Sequence, residues 1–180
     1  MLDDRLATDV DRRLAKSWVL SDPLDALPEP FMTDPARPCP EPLSAYRVLR
    51  PISTRWSDND VYGHVNNVVY YSWFDTAVNG HLIERGVLDI HAGDLIGLVV
   101  QTQCNYFAPL AYPQPVFAGI RVGHLGSSSV RYEVGLFAAP APAETLCAAC
   151  GHFVHVYVDR QTRRPRPLPP QFLEVLESLK

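Results

Sequence analysis

The chain of 180 residues contains no run of about 20 apolar residues, the length an α-helix needs to cross a bilayer, so no membrane role is expected. It also lacks an excess of positive charge. Its 16 Lys and Arg stand against 20 Asp and Glu, a formal net charge of -4, which does not advertise the basic face that a nucleic-acid partner favours. The first twenty residues, MLDDRLATDVDRRLAKSWVL, carry four aspartates and no continuous apolar core. They read neither as a secretory leader nor as an acid-poor transit peptide, and the expected location is the cytoplasm. No internal repeat is visible. What is present is the balance of a soluble globular protein, 47% apolar and 20% charged, at a length that suits one main domain with its own core.

The four cysteines are Cys39, Cys104, Cys147 and Cys150, and the last two form CAAC ahead of His152 and His155. That spacing invites zinc, yet TLCAACGHFVHVYVD reads better as a strand, in which Cys147 and Cys150 would point to opposite faces. It also lacks the helix start that lowers a thiol pKa in redox CxxC sites. The cysteines are therefore expected to be structural, with no metal and no cofactor.

Composition changes near residue 45. The stretch SDPLDALPEPFMTDPARPCPEPLS is dense in proline, which removes backbone donors and restricts the preceding residue. Residues 1–45 are read as an N-terminal arm, with a short helix over 3–20 suggested by Leu6, Val10, Leu14 and Trp18, followed by a proline-rich linker. Residues 46–180 form the main domain. Within it YRVLRPISTRW suggests a strand, and an apolar, proline-free segment from about Val65 to Arg85, stopped by Gly86, predicts one long, largely buried helix. Four strand-like segments follow: LIGLVVQTQCNYF, PVFAGIRVGHLG, SSVRYEVGLFA and TLCAACGHFVHVYVD, with GSSS marking a hairpin between the second and third. The expectation is an α+β fold in which a five-stranded antiparallel sheet wraps around one long buried helix.

The most polar stretch, DNDVYGHVNN, sits where the first strand meets that helix. The first N–H groups of a helix lack internal partners and carry partial positive charge, so they can polarise a carbonyl or stabilise an oxyanion. Carboxylates beside them can act as base or nucleophile, an arrangement suited to acyl transfer.

The motif DNDVYGHVNNVVYYSWFD resembles that of the hotdog-fold thioesterases of the 4-hydroxybenzoyl-CoA thioesterase type, which hydrolyse acyl-CoA thioesters. Supporting matches are NYFAPLAYPQPV, LGSSSVRYEVGLF and HFVHVYVDRQTRRPRPLP, so the resemblance spans about residues 46–170. It implies a hotdog fold and an acyl-CoA thioesterase in which Asp60 is the catalytic carboxylate and the Asn67 backbone N–H faces the thioester carbonyl. Asp60 would either draw a proton from water or attack the carbonyl to give a mixed anhydride. The GHVNN segment occurs in one branch of these enzymes, whereas the benzoyl-CoA enzymes carry apolar residues there. A fatty or other acyl-CoA is therefore the expected substrate, with acyl carrier protein as the alternative thiol carrier.

Each residue also has a plainer role. Asp58 is expected to cap the turn rather than take part in chemistry. His64 either orients water or the acyl group or makes a local hydrogen bond. Gly63, Val65, Asn66 and Tyr70 are the candidate substrate-binding positions, although Gly63 suits a tight turn, Asn66 and Asn67 suit helix capping, and Tyr70, Trp73 and Phe74 suit core or pocket wall. Asp75 is either a pocket group or a solvated contact. Arg160, Arg163, Arg164 and Arg166 would meet CoA phosphates or lie in a solvated loop. The family resemblance and the liability of an open sheet edge both imply a homodimer or homotetramer. Two other readings stand beside the thioesterase: a non-catalytic acyl-thioester-binding or interaction protein, and a hotdog enoyl-thioester hydratase.

Overall fold

In the computed structural model, described here over residues 38–138 and 142–180, alternating apolar positions assemble five strands into one antiparallel sheet. The strands are β1 (Val48–Ile52), β2 (Leu95–Tyr106), β3 (Val116–Leu125), β4 (Ser129–Ala138) and β5 (Ala149–Asp159), in the spatial order β1-β3-β4-β5-β2. The helix expected over 3–20 and most of the proline-rich linker lie outside the described residues. The expected hairpin joins β3 to β4, closed by the Gly126 N–H on the Ser129 carbonyl at 2.8 Å.

Helix α1 (Asn67–Glu84) lies against the sheet. It buries Tyr70, Trp73, Phe74, Ala77, Val78, His81 and Leu82, a stripe with the spacing of one helical face. The remainder of the circumference is more open than its apolar composition suggested, with Val68 64% and Ile83 43% exposed. The helix stops where expected. Gly86 takes φ 70°, its N–H reaches the Ile83 carbonyl, and the Val87 N–H reaches the Leu82 carbonyl, the paired bonds of a Schellman cap.

Strand alternation sends Ala118, Ile120, Val130, Tyr132, Val134, Leu136, Phe153 and Tyr157 into the core shared with α1. Arg121, Arg131, Glu133 and His152 occupy the opposite face. There the Tyr46 ring lies across Gly135, where an added Cβ would fall 2.6 Å from the ring. Together these elements are the hotdog arrangement of sheet and helix.

A second helix, α2 (Pro170–Glu177), was not anticipated. It buries Phe172, Val175 and Leu176, with Leu179 just beyond, and Phe172 meets Tyr157 edge-on at 4.8 Å. The Leu179 carbonyl accepts the Val122 N–H at 2.8 Å, beside the register shift between Val122 and His124. The CAAC segment also departs from expectation. The last strand begins only at Ala149, Ala148 lies in a bend, and Cys147 packs with Cys150 against Tyr46 and Phe137. The two cysteines therefore share one side of the chain, because strand alternation does not extend back to Cys147.

Candidate active site at the start of the helix

After β1, the chain makes a single turn of 3-10 helix over Trp56–Asp58. Asp58, 8% exposed, closes that turn by accepting the Arg55 N–H at Oδ2, 2.7 Å away, which is the capping role expected of it. The Asp58 carbonyl accepts the Asn66 N–H at 2.8 Å and so ties the entry turn to the helix start. Asn59 pairs with Val65, and its Oδ1 accepts the Tyr112 N–H at 2.9 Å.

Between these anchors Asp60–His64 forms a small loop. The Asp60 N–H donates to the His64 carbonyl at 2.8 Å, and the Gly63 N–H donates to the Asp60 carbonyl at 3.1 Å. Gly63 adopts φ 82° with nothing near a would-be Cβ, so backbone conformation rather than space requires glycine there. The Asp60 carboxylate is half-buried, and its Oδ1 accepts the Tyr62 N–H at 2.8 Å, which fixes its direction.

Asn66 caps α1 through Oδ1, which accepts the Val68 N–H at 3.2 Å. Around this helix start the N–H groups of Val65, Asn66, Val68 and Val69 all have acceptors. Among the described residues none is found for the Asn67 N–H, the first of the helix. Tyr70, one turn along, is buried, and its ring meets Tyr106 edge-on at 5.0 Å. Burial pushes the Tyr70 phenol up, and the nearby Asp60 charge adds to that shift.

Asp60, Gly63, His64, Asn66, Asn67 and Tyr70 thus surround one helix end. Val65 differs in that its side chain is 5% exposed and belongs to the core, while its N–H bonds to the Leu110 carbonyl at 2.7 Å. Asp75 is exposed and accepts from Asn79 Nδ2 at 2.9 Å. A cavity of about 370 Å³ adjoins the entry turn, lined by Ser53, Arg55, Asp58, Ser72, Trp73 and Thr76 among others. Ser72 and Thr76 went unnoticed in the sequence, although two hydroxyls four apart on an apolar helix are a usable signal.

The arginines lie elsewhere. Arg160 donates to the Gly93 carbonyl at 2.6 Å and the Ile90 carbonyl at 3.1 Å, and Arg166 pairs with Asp159 at 3.6 Å. They follow the Asp159 end of β5, whereas Ala149, at its other end, pairs with Tyr106, whose hydroxyl reaches the Asn67 carbonyl at 3.3 Å. At about 3.3 Å per residue, the length of β5 separates them from the helix start by roughly 30 Å within one protomer.

No match is found among curated proteins. Among solved structures, the chain is similar to the PA5185 protein of Pseudomonas aeruginosa, with 51% identity, a TM-score of 0.75, and coverage of 79% of this chain and 97% of that one. A thioesterase of Thermus thermophilus, in complex with coenzyme A and Zn, is 31% identical over 74% of this chain and 95% of its own, with a TM-score of 0.59. The 1,4-dihydroxy-2-naphthoyl-CoA thioesterase of Synechocystis is 18% identical over 73% of this chain and 96% of its own, a likeness of fold alone, with a TM-score of 0.63. Residues 54–176, which hold the helix-start loop and four of the five strands, match the thioesterase-like superfamily, and the chain belongs to that superfamily.

Proposed function

We propose that the thioester hydrolysis of this superfamily is directed here at acyl-CoA, released as free acid and CoA by a cytoplasmic enzyme acting at the start of α1. The observation that carries the reading is the Asn67 N–H, which has no acceptor among the described residues and sits at a helix N-terminus beside the oriented carboxylate of Asp60. A thioester carbonyl accepting that N–H would be polarised before attack. Asp60 then either takes a proton from the attacking water or adds to the carbonyl carbon itself, forming a mixed anhydride that water opens. In both routes the C–S bond breaks as the tetrahedral intermediate collapses, and the negative charge that had built on oxygen is the one the helix end stabilises. Thiolate is a good leaving group and requires no strong acid.

The coenzyme A bound by the Thermus relative supports CoA as the carrier. We place this site in a homodimer. Edge strand β2 is twelve residues long and exposes Leu98, Val99 and Val100, a surface suited to pairing with a second copy. Antiparallel pairing of two β2 strands about a twofold would bring the Leu95 end of one, which pairs with Asp159 just before Arg163 and Arg164, toward the helix start of the other. The test is thiol release from short, medium, long and aromatic acyl-CoAs by wild type and Asp60→Asn. Turnover that collapses in the variant is expected; no release from any substrate, or release indifferent to the substitution, refutes the proposal.

A further inference from the structure

The outer face of the sheet carries a second cavity, of about 290 Å³, that thioester hydrolysis does not use. Its floor is a row of polar residues set opposite one another on four adjacent strands. Arg121 on β3 stands opposite Glu133 on β4, Glu133 opposite His152 on β5, and His152 opposite Gln103 on β2. Arg131 and Asn105, each two residues along its strand from a member of the row, share this face, and Glu41 and Tyr46 form part of the wall. The charges within the cavity already answer one another. Arg121 donates from Nε to Glu133 Oε2 at 2.6 Å and from Nη2 to Glu41 Oε1 at 2.9 Å, and its Nη1 reaches the Ala45 carbonyl at 3.3 Å. Glu133 Oε1 lies 3.4 Å from Arg131 Nε. Two guanidinium groups thus meet two carboxylates. Burial, with Arg131 beside it, holds the His152 imidazole below its ordinary range and so in its neutral form. A cavity without net formal charge disfavours a charged ligand, whose desolvation nothing would repay.

What remains unpaired there is hydrogen-bonding capacity. Gln103 Nε2 donates to Asn105 Oδ1 at 3.4 Å, and among the described residues neither Asn105 Nδ2 nor Gln103 Oε1 has a partner. Arg131 has only its 3.4 Å contact with Glu133. His152 is 6% exposed, and its buried Nε2 has no partner either. Unpaired polar atoms in the wall of a polar cavity mark where the hydrogen-bonding groups of a ligand belong. Tyr46 offers little ring surface to a planar base, because it is 8% exposed, lies across Gly119 and Gly135, and takes the Arg121 guanidinium 5.1 Å from its centroid. We infer that this cavity binds a small neutral polyol the size of one sugar ring. Hydroxyls both donate and accept, so one such ligand takes the Asn105 and Arg131 N–H groups as an acceptor, donates to Gln103 Oε1, and meets the His152 imidazole in either tautomer. A volume of about 290 Å³ lies at the small end of ligand pockets, which limits the ligand to about one ring. The floor is built on strands rather than loops, so its groups are in position before a ligand arrives.

The experiment titrates the full-length protein with D-ribose, D-glucose and myo-inositol by isothermal titration calorimetry. Acetate, adenine and cyclohexanol serve as controls for an anion, a planar base and a ring with a single hydroxyl. The expected result is saturable binding of at least one of the polyols, one molecule per chain, and no binding of the controls. Asn105→Leu and Arg131→Met, both away from the helix start, should each weaken that binding by about tenfold or more while the melting temperature holds. Absence of binding by all of the polyols, an affinity that neither substitution changes, or acetate or adenine binding in their place overturns the inference. Should Asn105→Leu fail to fold, Arg131→Met, whose side chain is 44% exposed, decides the question alone.

Discussion

Asp58 and Asp60 stand two positions apart and are assigned opposite work, which a pair of substitutions separates. Asp58 is 8% exposed, and its carboxylate bonds to the Arg55 N–H at 2.7 Å, so solvent screens little of that bond. Asp58→Ala removes a hydrogen bond to a charged group, about 1.5–3 kcal/mol, and the exposure of Arg55, which lets water reach the released donor, places the loss near the lower end. At about 2–4 °C per kcal/mol for a chain of this size, the melting temperature should fall by about 3–8 °C. Asp60→Asn differs in both respects. The amide oxygen still accepts the Tyr62 N–H, and the site is half-buried in a loop, so stability should change by less than about 0.5 kcal/mol. Loss of the base or nucleophile should instead lower kcat by about 10²–10⁴, or about 2.7–5.5 kcal/mol in the barrier. Thermal unfolding followed by circular dichroism, alongside thiol release, reads the two quantities on the same preparations. Asp58→Ala losing a hundredfold in turnover at an unchanged melting temperature, or Asp60→Asn unfolding early while keeping its rate, would refute the division of roles.

Three further outcomes are expected. Gly63→Ala forces a Cβ into a left-handed conformation that costs about 1–2 kcal/mol, so kcat/KM should fall as the Asp60 loop shifts, and an unchanged rate would show that the loop does not orient Asp60. Phe172→Ala empties a site 1% exposed and should cost about 3–5 kcal/mol in urea unfolding; a loss below about 1 kcal/mol would mean that α2 is not part of the cooperative core. Burial holds the His81, His152 and His155 imidazoles below their ordinary range, with Arg50 and Arg85 adding to the effect at His81 and Arg131 at His152, while the Asp75 charge opposes it at His155. The unfolded chain therefore takes up protons first as pH falls below about 6.5, so the stability these groups contribute is present above that value and lost as pH falls through their lower folded values. His155→Phe should flatten that acid-side decline, and stability that instead rose on acidification would contradict the sign.

Regular elements were legible where a local rule operated over its whole length. The alternation of Val130, Tyr132, Val134 and Leu136 places those side chains on the core face, and Gly86 ends α1 because the cap needs a positive φ. Rules failed at their edges. Alternation does not reach back to Cys147, because the strand begins at Ala149 and a bend at Ala148 puts Cys147 and Cys150 in one cluster. Helix α2 was missed despite Phe172, Val175, Leu176 and Leu179 at helical spacing behind Pro169 and Pro170, since the proline that marks a first turn also reads as a loop. The cavity by Ser72 and Thr76 needs the Pro51–Arg55 segment to pack beside α1, a contact that no local pattern encodes.

The polar helix-start stretch was legible because its work is done within a few residues. Most of that work is structural. Asp58, Asn59 and Asn66 each spend a side-chain oxygen on a backbone N–H, of Arg55, Tyr112 and Val68 respectively, so the density of polar residues is first a way to satisfy a chain that changes from strand to helix in fourteen residues. The two groups proposed to meet the thioester differ from these. Asn67 contributes an N–H that has no acceptor among the described residues, and Asp60 contributes a carboxylate held by the very next turn. A site built this way separates the groups that shape the loop from those that would meet substrate, and substitutions in the first set should act through folding while those in the second act through rate.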